Sequence, residues 1–231
     1  MYDFLNMIFQ NWFLILIVGL SAYLIGCVNA SIVVTKILKL EDIRTVGSGN
    51  AGFTNALRTQ GIKVAAFTFV IDFLKGILAI LVAGVLVNVF CVAECQELIC
   101  FVKYFACLNC VLGHVYPCFF EFKGGKAILC TWSCMLLIDW RVFVALITVF
   151  LIVVFCSKIV SLASILAAVS YPLASFLSSY YFVYKNSNNI QDVIIPTAFS
   201  FMITLLVIYR HWSNLKRIVN GTEKTISVGK K

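Results

Sequence analysis

Gly47-Ser48-Gly49-Asn50-Ala51-Gly52-Phe53-Thr54-Asn55, followed by Arg58, decides the fold of this chain. The spelling satisfies G-x-G-x-x-G, which opens a dinucleotide-binding unit only where a strand precedes it inside a βαβ context. Residues 32–40 before it read instead as the end of a membrane helix, so the dinucleotide assignment fails on context. The same residues suit an anion in another way. Three glycines let the backbone turn sharply and leave N–H groups unshielded, while Ser48, Asn50, Thr54 and Asn55 add short hydrogen-bonding groups. Arg58 adds a planar fork for phosphate oxygens, and a helix expected to start at Lys63 offers its positive end. An ordinary connecting loop stays open as the alternative, because Gly and Asn are common turn residues.

The chain has 231 residues, of which 62% are hydrophobic and 12% charged. That is too little polar surface for a water-soluble domain of this length. The apolar residues fall in blocks of about 17 to 27, the length that spans a bilayer as a helix. The expected fold is an all-α integral membrane protein with about seven transmembrane helices, forming a single domain over residues 1–231. The spans are expected at 12–34, 64–90, 98–120, 127–138, 143–155, 162–184 and 193–209, and the fourth is short enough only to half-cross. Of the 18 Lys and Arg, 14 fall on one side, two on the other (Arg141 and Lys185), and two within spans (Lys75 and Lys103). By the positive-inside rule the N-terminus lies outside and the C-terminus in the cytoplasm. The net charge of +8 is therefore assigned to orientation and anionic lipid rather than to nucleic acid. No basic segment precedes the first apolar run, so no secretory signal is expected.

Ten cysteines sit mostly in apolar runs, where a thiol behaves as a small hydrophobe. Cys107 and Cys110 form a C-x-x-C with no second pair visible in the sequence, which argues against a metal or redox role. Cys91, Cys95 and Cys100 flank an outer loop, where oxidation is undecided.

Three further features carry chemistry. Asp72 and Lys75 lie within the second span, and their spacing of three places them on one helix face. They are either a self-neutralised pair that locks helices together or one wall of a polar cavity. Gly113-His114-Val115-Tyr116-Pro117 leads to Phe122-Lys123-Gly124-Gly125-Lys126, where two lysines around a Gly-Gly turn form an anion site or a simple membrane anchor. In the tail, a helix puts His211 and Asn214 one turn apart, with Arg210 and Arg217 near the same face. Gly221 then stops that helix, and Thr222 and Glu223 fold back.

Together these clusters resemble the motifs of the bacterial acyl-phosphate-dependent glycerol-3-phosphate acyltransferases (PlsY type). The first motif is similar to Gly47-Ser48-Gly49-Asn50-x-Gly52-x-Thr54-Asn55-x-x-Arg58, with Asp72-x-x-Lys75-Gly76 later; the second to the Gly113 and Phe122 segments; the third to Arg210-His211-x-x-Asn214-x-x-Arg217 and Gly221-Thr222-Glu223. The resemblance covers nearly the whole chain. It implies a bacterial cytoplasmic-membrane enzyme that moves a fatty acyl group from acyl-phosphate to the 1-hydroxyl of glycerol 3-phosphate, giving lysophosphatidate. Carried onto this sequence, Ser48, Arg58, His211 and Asn214 would be catalytic. Gly49, Asn50, Gly52, Thr54, Asn55, Lys123, Gly124, Gly125, Lys126 and Ser161 would bind substrate or phosphate, and Asp72, Lys75 and Glu223 would be structural. No metal or cofactor is expected, the partners are the two substrates and membrane lipid, and a monomer suffices. The chain departs from the family pattern at Phe53 (usually alanine), at Ala127 (usually glycine), at Ile128-Leu129-Cys130, and in lacking a proline near Val28-Asn29. The competing classes are a small anion transporter and an inactive relative with a structural role.

Overall fold

A computed structural model describes residues 2–91 and 96–225. The described residues form helices and connecting turns, with no strand among them. Two compact units divide the chain, residues 1–138 and 139–231.

The first unit begins with α1 (Tyr2–Gln10) and α2 (Trp12–Cys27), set at 73° to each other. The expected first span breaks at Val28-Asn29, and α3 (Ala30–Ile37) continues from there. Asn29 causes the break in the usual way of an N-cap: its side-chain oxygen accepts from the Ile32 amide at 3.3 Å, satisfying a donor that the new helix leaves unpaired. A short α4 (Phe53–Thr59) follows directly on the glycine-rich stretch, where sequence placed a loop as far as Lys63. Then come α5 (Ile62–Phe90), α6 (Gln96–Val115), a 3₁₀ turn (Cys118–Phe120) and α7 (Ile128–Ile138). α2 packs on α5 and α6, and α5 packs on α7. α2 and α6 meet at Gly26 and Gly113, where an added methyl would run into main-chain atoms. Such small-residue contacts let membrane helices approach closely without a hydrophobic driving force between them.

The second unit holds α8 (Trp140–Ser157), α9 (Val160–Ser179), a π-helical turn (Tyr180–Tyr184), α10 (Lys185–Ser187), α11 (Gln191–Arg210) and α12 (Trp212–Val219). α9 is the centre of this unit and packs on both α8 and α11. Thr204 on α11 donates to the Ala168 carbonyl on α9 at 2.7 Å, a cross-helix bond of the kind that substitutes for absent water in lipid.

Among the described residues five helices are long and apolar enough to cross a membrane, and six if the bent α1–α2 pair counts as one. α7 is apolar but has only 11 residues. The expected seven thus corresponds to five full-length helices, one bent pair and one short helix.

Candidate functional site

In the first unit the glycine-rich stretch is a loop shaped by one side chain. Asn55, 3% exposed, donates from Nδ2 to the Ile43 and Val46 carbonyls at 3.0 Å each and accepts from the Ser48 amide at 2.9 Å. Gly47 and Gly49 have φ of 62° and 69°, a region that disfavours any side chain, so the turn needs glycine there. Ile32, Val34, Ile43, Ala51, Ala56, Val64 and Ala65 form the apolar floor beneath the loop. Asn55 is thus spent on the loop itself. Ser48, Gly49 and Arg58 are exposed, and Asn50, Gly52 and Thr54 half-buried. Arg58 lies in the last turn of α4, so the helix missed in the sequence is what carries the guanidinium.

Arg44 ties this loop to the second motif. Its side chain pairs with Asp42 at 2.7 Å and donates from Nη1 to the Phe120 carbonyl at 3.1 Å. The guanidinium hydrogen bond holds the Asp42 carboxyl below the usual carboxylate range. Arg44 received no role from sequence, because its acceptor is a backbone oxygen 76 residues away.

Gly124 and Gly125 turn out to face inward. Their amides donate to the Val115 and His114 carbonyls at 3.2 and 3.1 Å, so they close the chain back on the end of α6 instead of standing open to an anion. An added methyl at Gly125 would meet the His114 ring and the Ala51 carbonyl; at Gly124 it would lie 2.7 Å from Pro117 Cδ. The glycines therefore permit a close approach between the two motifs. Of the flanking lysines, Lys126 is half-buried and Lys123 is exposed and paired with Glu121 at 3.0 Å. Ala127 has φ of 59°, a region that disfavours a side chain and suits the glycine the resemblance leads one to expect there.

Asp72 and Lys75 form a buried ion pair at 2.8 Å, with side chains 2% and 4% exposed. Lys75 also donates to the carbonyls of Val28 at 2.8 Å and Gly26 at 3.2 Å, the acceptors stranded where α2 breaks. Asp72 Oδ1 lies 3.5 Å from the Ala30 amide at the start of α3. His114 Nδ1 sits 2.7 Å from the ammonium, which has only protons to give, so the imidazole receives it on that nitrogen. This hub joins both sides of the helix break, and the same break presents Asn29, whose Nδ2 donates to Ala51 O in the loop at 3.3 Å. The sequence showed the pair and the His114 segment separately, but not that His114 and the Asn29 break meet at the pair; an Asn-Ala-Ser inside an apolar run is the cap signal that marks Asn29. Asp72, His114 and Cys130 cluster like metal ligands, but the Lys75 ammonium already occupies the cation position among them.

The buried cysteines are free thiols that hydrogen-bond one another: Cys110 with Cys130 and Cys134 of α7, and Cys134 also with Cys107. Cys95 lies outside the described residues.

In the second unit Glu223 gathers the third motif. Its Oε1 accepts from Ser161 Oγ and Asn214 Nδ2, each at 2.7 Å, and its Oε2 from Arg217 Nε at 2.6 Å. Burial alone would raise this carboxyl, but the three donors outweigh it and hold it below the usual range. The fold-back that brings Glu223 there is a Schellman ending: Gly221 has φ of 69°, and Gly221 and Thr222 donate to the Ile218 and Arg217 carbonyls. His211, 3% exposed, bonds through Nδ1 to the Val207 carbonyl at 2.8 Å. A carbonyl can only accept, so Nδ1 carries the proton and Nε2 is the basic nitrogen. Ser161, from α9, is thereby linked to the same carboxylate as Asn214.

A sequence profile described as glycerol-3-phosphate acyltransferase matches residues 15–221. The chain belongs to the glycerol-3-phosphate acyltransferase family. It is 32% identical to the glycerol-3-phosphate acyltransferase of Finegoldia magna, covering 94% of this chain and 98% of the relative. It is 38% identical to that of Prochlorococcus marinus, over 91% and 93%. Its fold is that of PlsY (YgiH), an integral membrane glycerol 3-phosphate acyltransferase solved in its glycerol 3-phosphate form. The TM-score is 0.77 at 34% identity, covering 92% of this chain and 96% of that one. The lysophosphatidic acid form of PlsY gives a TM-score of 0.75 at 31% identity. The chain is accordingly an all-helical integral membrane protein of this family.

Proposed function

We propose that the chain transfers a fatty acyl group from an acyl-phosphate to the 1-hydroxyl of sn-glycerol 3-phosphate, releasing lysophosphatidate and inorganic phosphate. The observation that carries this reading is the chain-wide family match joined to two built polar clusters, the Asn55-shaped loop and the Glu223-centred third motif. PlsY solved in a glycerol 3-phosphate form and a lysophosphatidic acid form supports this reading.

Phosphate is a good leaving group, so the acceptor oxygen attacks the acyl carbonyl directly and the bond to phosphate breaks without a covalent enzyme intermediate. Holding both substrates in line contributes roughly 7 kcal/mol or more. Arg58, Lys126 and the exposed loop around Ser48 and Gly49 stabilise the phosphate charge. Asn50, Gly52 and Thr54 line the same loop. His211 takes the acceptor proton on Nε2, oriented by its bond to the Val207 carbonyl. Asn55, Gly124 and Gly125 shape the loops, while Asp72, Lys75 and Glu223 hold the framework. The reaction proceeds without metal or cofactor, in a monomer, on the cytoplasmic side of a bacterial membrane.

The test is purified protein in detergent with palmitoyl-phosphate and labelled glycerol 3-phosphate. Lysophosphatidate should form and survive chelator treatment. Arg58→Ala and His211→Ala should each reduce the rate by about 100-fold or more. A well-folded protein that forms no product rejects the enzyme reading in favour of a transporter or an inactive relative.

A further inference from the structure

Cys27 is the last residue of α2, beside the helix break, and Cys118 opens the turn that leads into Lys123-Gly124-Gly125-Lys126. Their sulfur atoms lie 3.6 Å apart. The Cys118 amide also donates to the Cys27 sulfur at 3.4 Å, and Tyr23, one turn earlier on α2, donates to the Tyr116 carbonyl at 2.8 Å. Two segments 91 residues apart are therefore already held in register for a bond between the two sulfurs. Cys27 is buried, whereas Cys118 is half-buried and reachable by a small molecule. This separates the pair from Cys107, Cys110, Cys130 and Cys134, which form no part of the exposed turn and are buried throughout.

We propose that Cys27 and Cys118 are a redox modification site that closes reversibly to a disulfide and thereby slows the enzyme. The oxidant is a low-molecular-weight disulfide. The Cys118 thiolate attacks one of its sulfurs, giving a mixed disulfide and releasing one thiol. The Cys27 thiolate then attacks the Cys118 sulfur and releases the second. Two electrons pass to the oxidant, and the two cysteine protons end on the two released thiols.

Closure to a bond of about 2.05 Å requires the sulfurs to approach by about 1.5 Å. Cys118 does not move alone. The Phe120 and Phe122 amides both bond to the Pro117 carbonyl at 3.0 Å, Lys123 bonds to Phe120, and Arg44 grips the Phe120 carbonyl. A pull on Cys118 therefore shifts the path into Gly124, whose tight packing against Pro117 leaves no slack. Misplacement of about 1 Å in a positioning element costs on the order of 100-fold in rate.

The test equilibrates the purified full chain in glutathione buffers from fully reduced to fully oxidised, then alkylates and maps the peptides by mass. A Cys27–Cys118 crosslink is expected, reversed by dithiothreitol. Acyltransferase rate should fall about 10- to 100-fold with the crosslink and return on reduction. Cys118→Ser should keep the untreated rate and lose the response; Cys118→Ala replaces it if the serine variant does not fold. Cys156→Ser, at an exposed thiol, should respond like the parent. No crosslink at the oxidising limit overturns the site, and a crosslink with unchanged rate overturns its effect on turnover. The rate arm rests on the acyltransferase reading: an untreated protein that makes no product sinks that reading, while the peptide map still decides the disulfide.

Discussion

Replacing Lys75 by methionine isolates what the buried hub contributes. The ammonium is 4% exposed and serves Asp72, Val28 O, Gly26 O and His114 together. Its removal leaves the Asp72 charge buried without its cation and strands two carbonyls at the break in α2. Breaking one side of a buried pair costs about 3 to 5 kcal/mol. For a chain of this length, at roughly 2 to 4 °C per kcal/mol, the melting temperature in a fixed detergent should fall by about 6 to 20 °C. The double variant Asp72→Leu, Lys75→Met removes both charges, so it should melt above the single variant. A Lys75→Met protein within about 2 °C of the parent, or a double variant worse than the single, would refute the locking role. A wet cavity wall predicts a different signature: near-normal melting and a changed KM for glycerol 3-phosphate.

Gly125→Ala should abolish turnover with little substrate saturation effect, since its methyl has no room between the His114 ring and Ala51; normal kcat would show that the two motifs need not touch. Ala127→Gly should raise the melting temperature by up to about 4 °C, as relief of left-handed strain is worth roughly 1 kcal/mol, while Ala127→Val should lower it. Glu223 has its carboxyl held low, so its stabilising share is complete above the unfolded value of about 4.3 and fades as pH falls through the folded one. Melting temperature should therefore not vary with this group above pH ~5.5 and should drop in acid. Glu223→Gln should flatten that acid limb, and an unchanged acid limb would assign the drop elsewhere.

The sequence displays what is local. Long apolar blocks mark the spans, a spacing of three marks the Asp72–Lys75 pair, and Gly221 marks the end of α12. What it hides depends on partners distant in the chain. The break at Asn29 is stabilised by residues more than 40 positions away, so residues 12–34 read as one span. His114 takes its bond from Lys75 and Arg44 finds its acceptor on another segment, and Cys110 finds its thiol partners on another helix. Gly124 and Gly125 look like an open cradle because sequence cannot say where an amide points; in the fold both point back at α6. α4 escaped notice because seven residues rich in Thr and Asn are too short for a periodic pattern, although they position Arg58.

α7 rises only about 16 Å over its 11 residues, roughly half of a hydrocarbon slab ~30 Å deep. Residues 130–135 of α7 are buried against protein, which shelters the helix, and an end at that depth stands against protein or in a wet recess below the headgroups, since bare backbone is not tolerated against acyl chains. A wet recess at that end shortens the oily path next to Lys126. On the proposed acyl transfer, a water-borne sugar phosphate and a lipid-dissolved donor then have less distance to bridge before their reactive atoms share one depth.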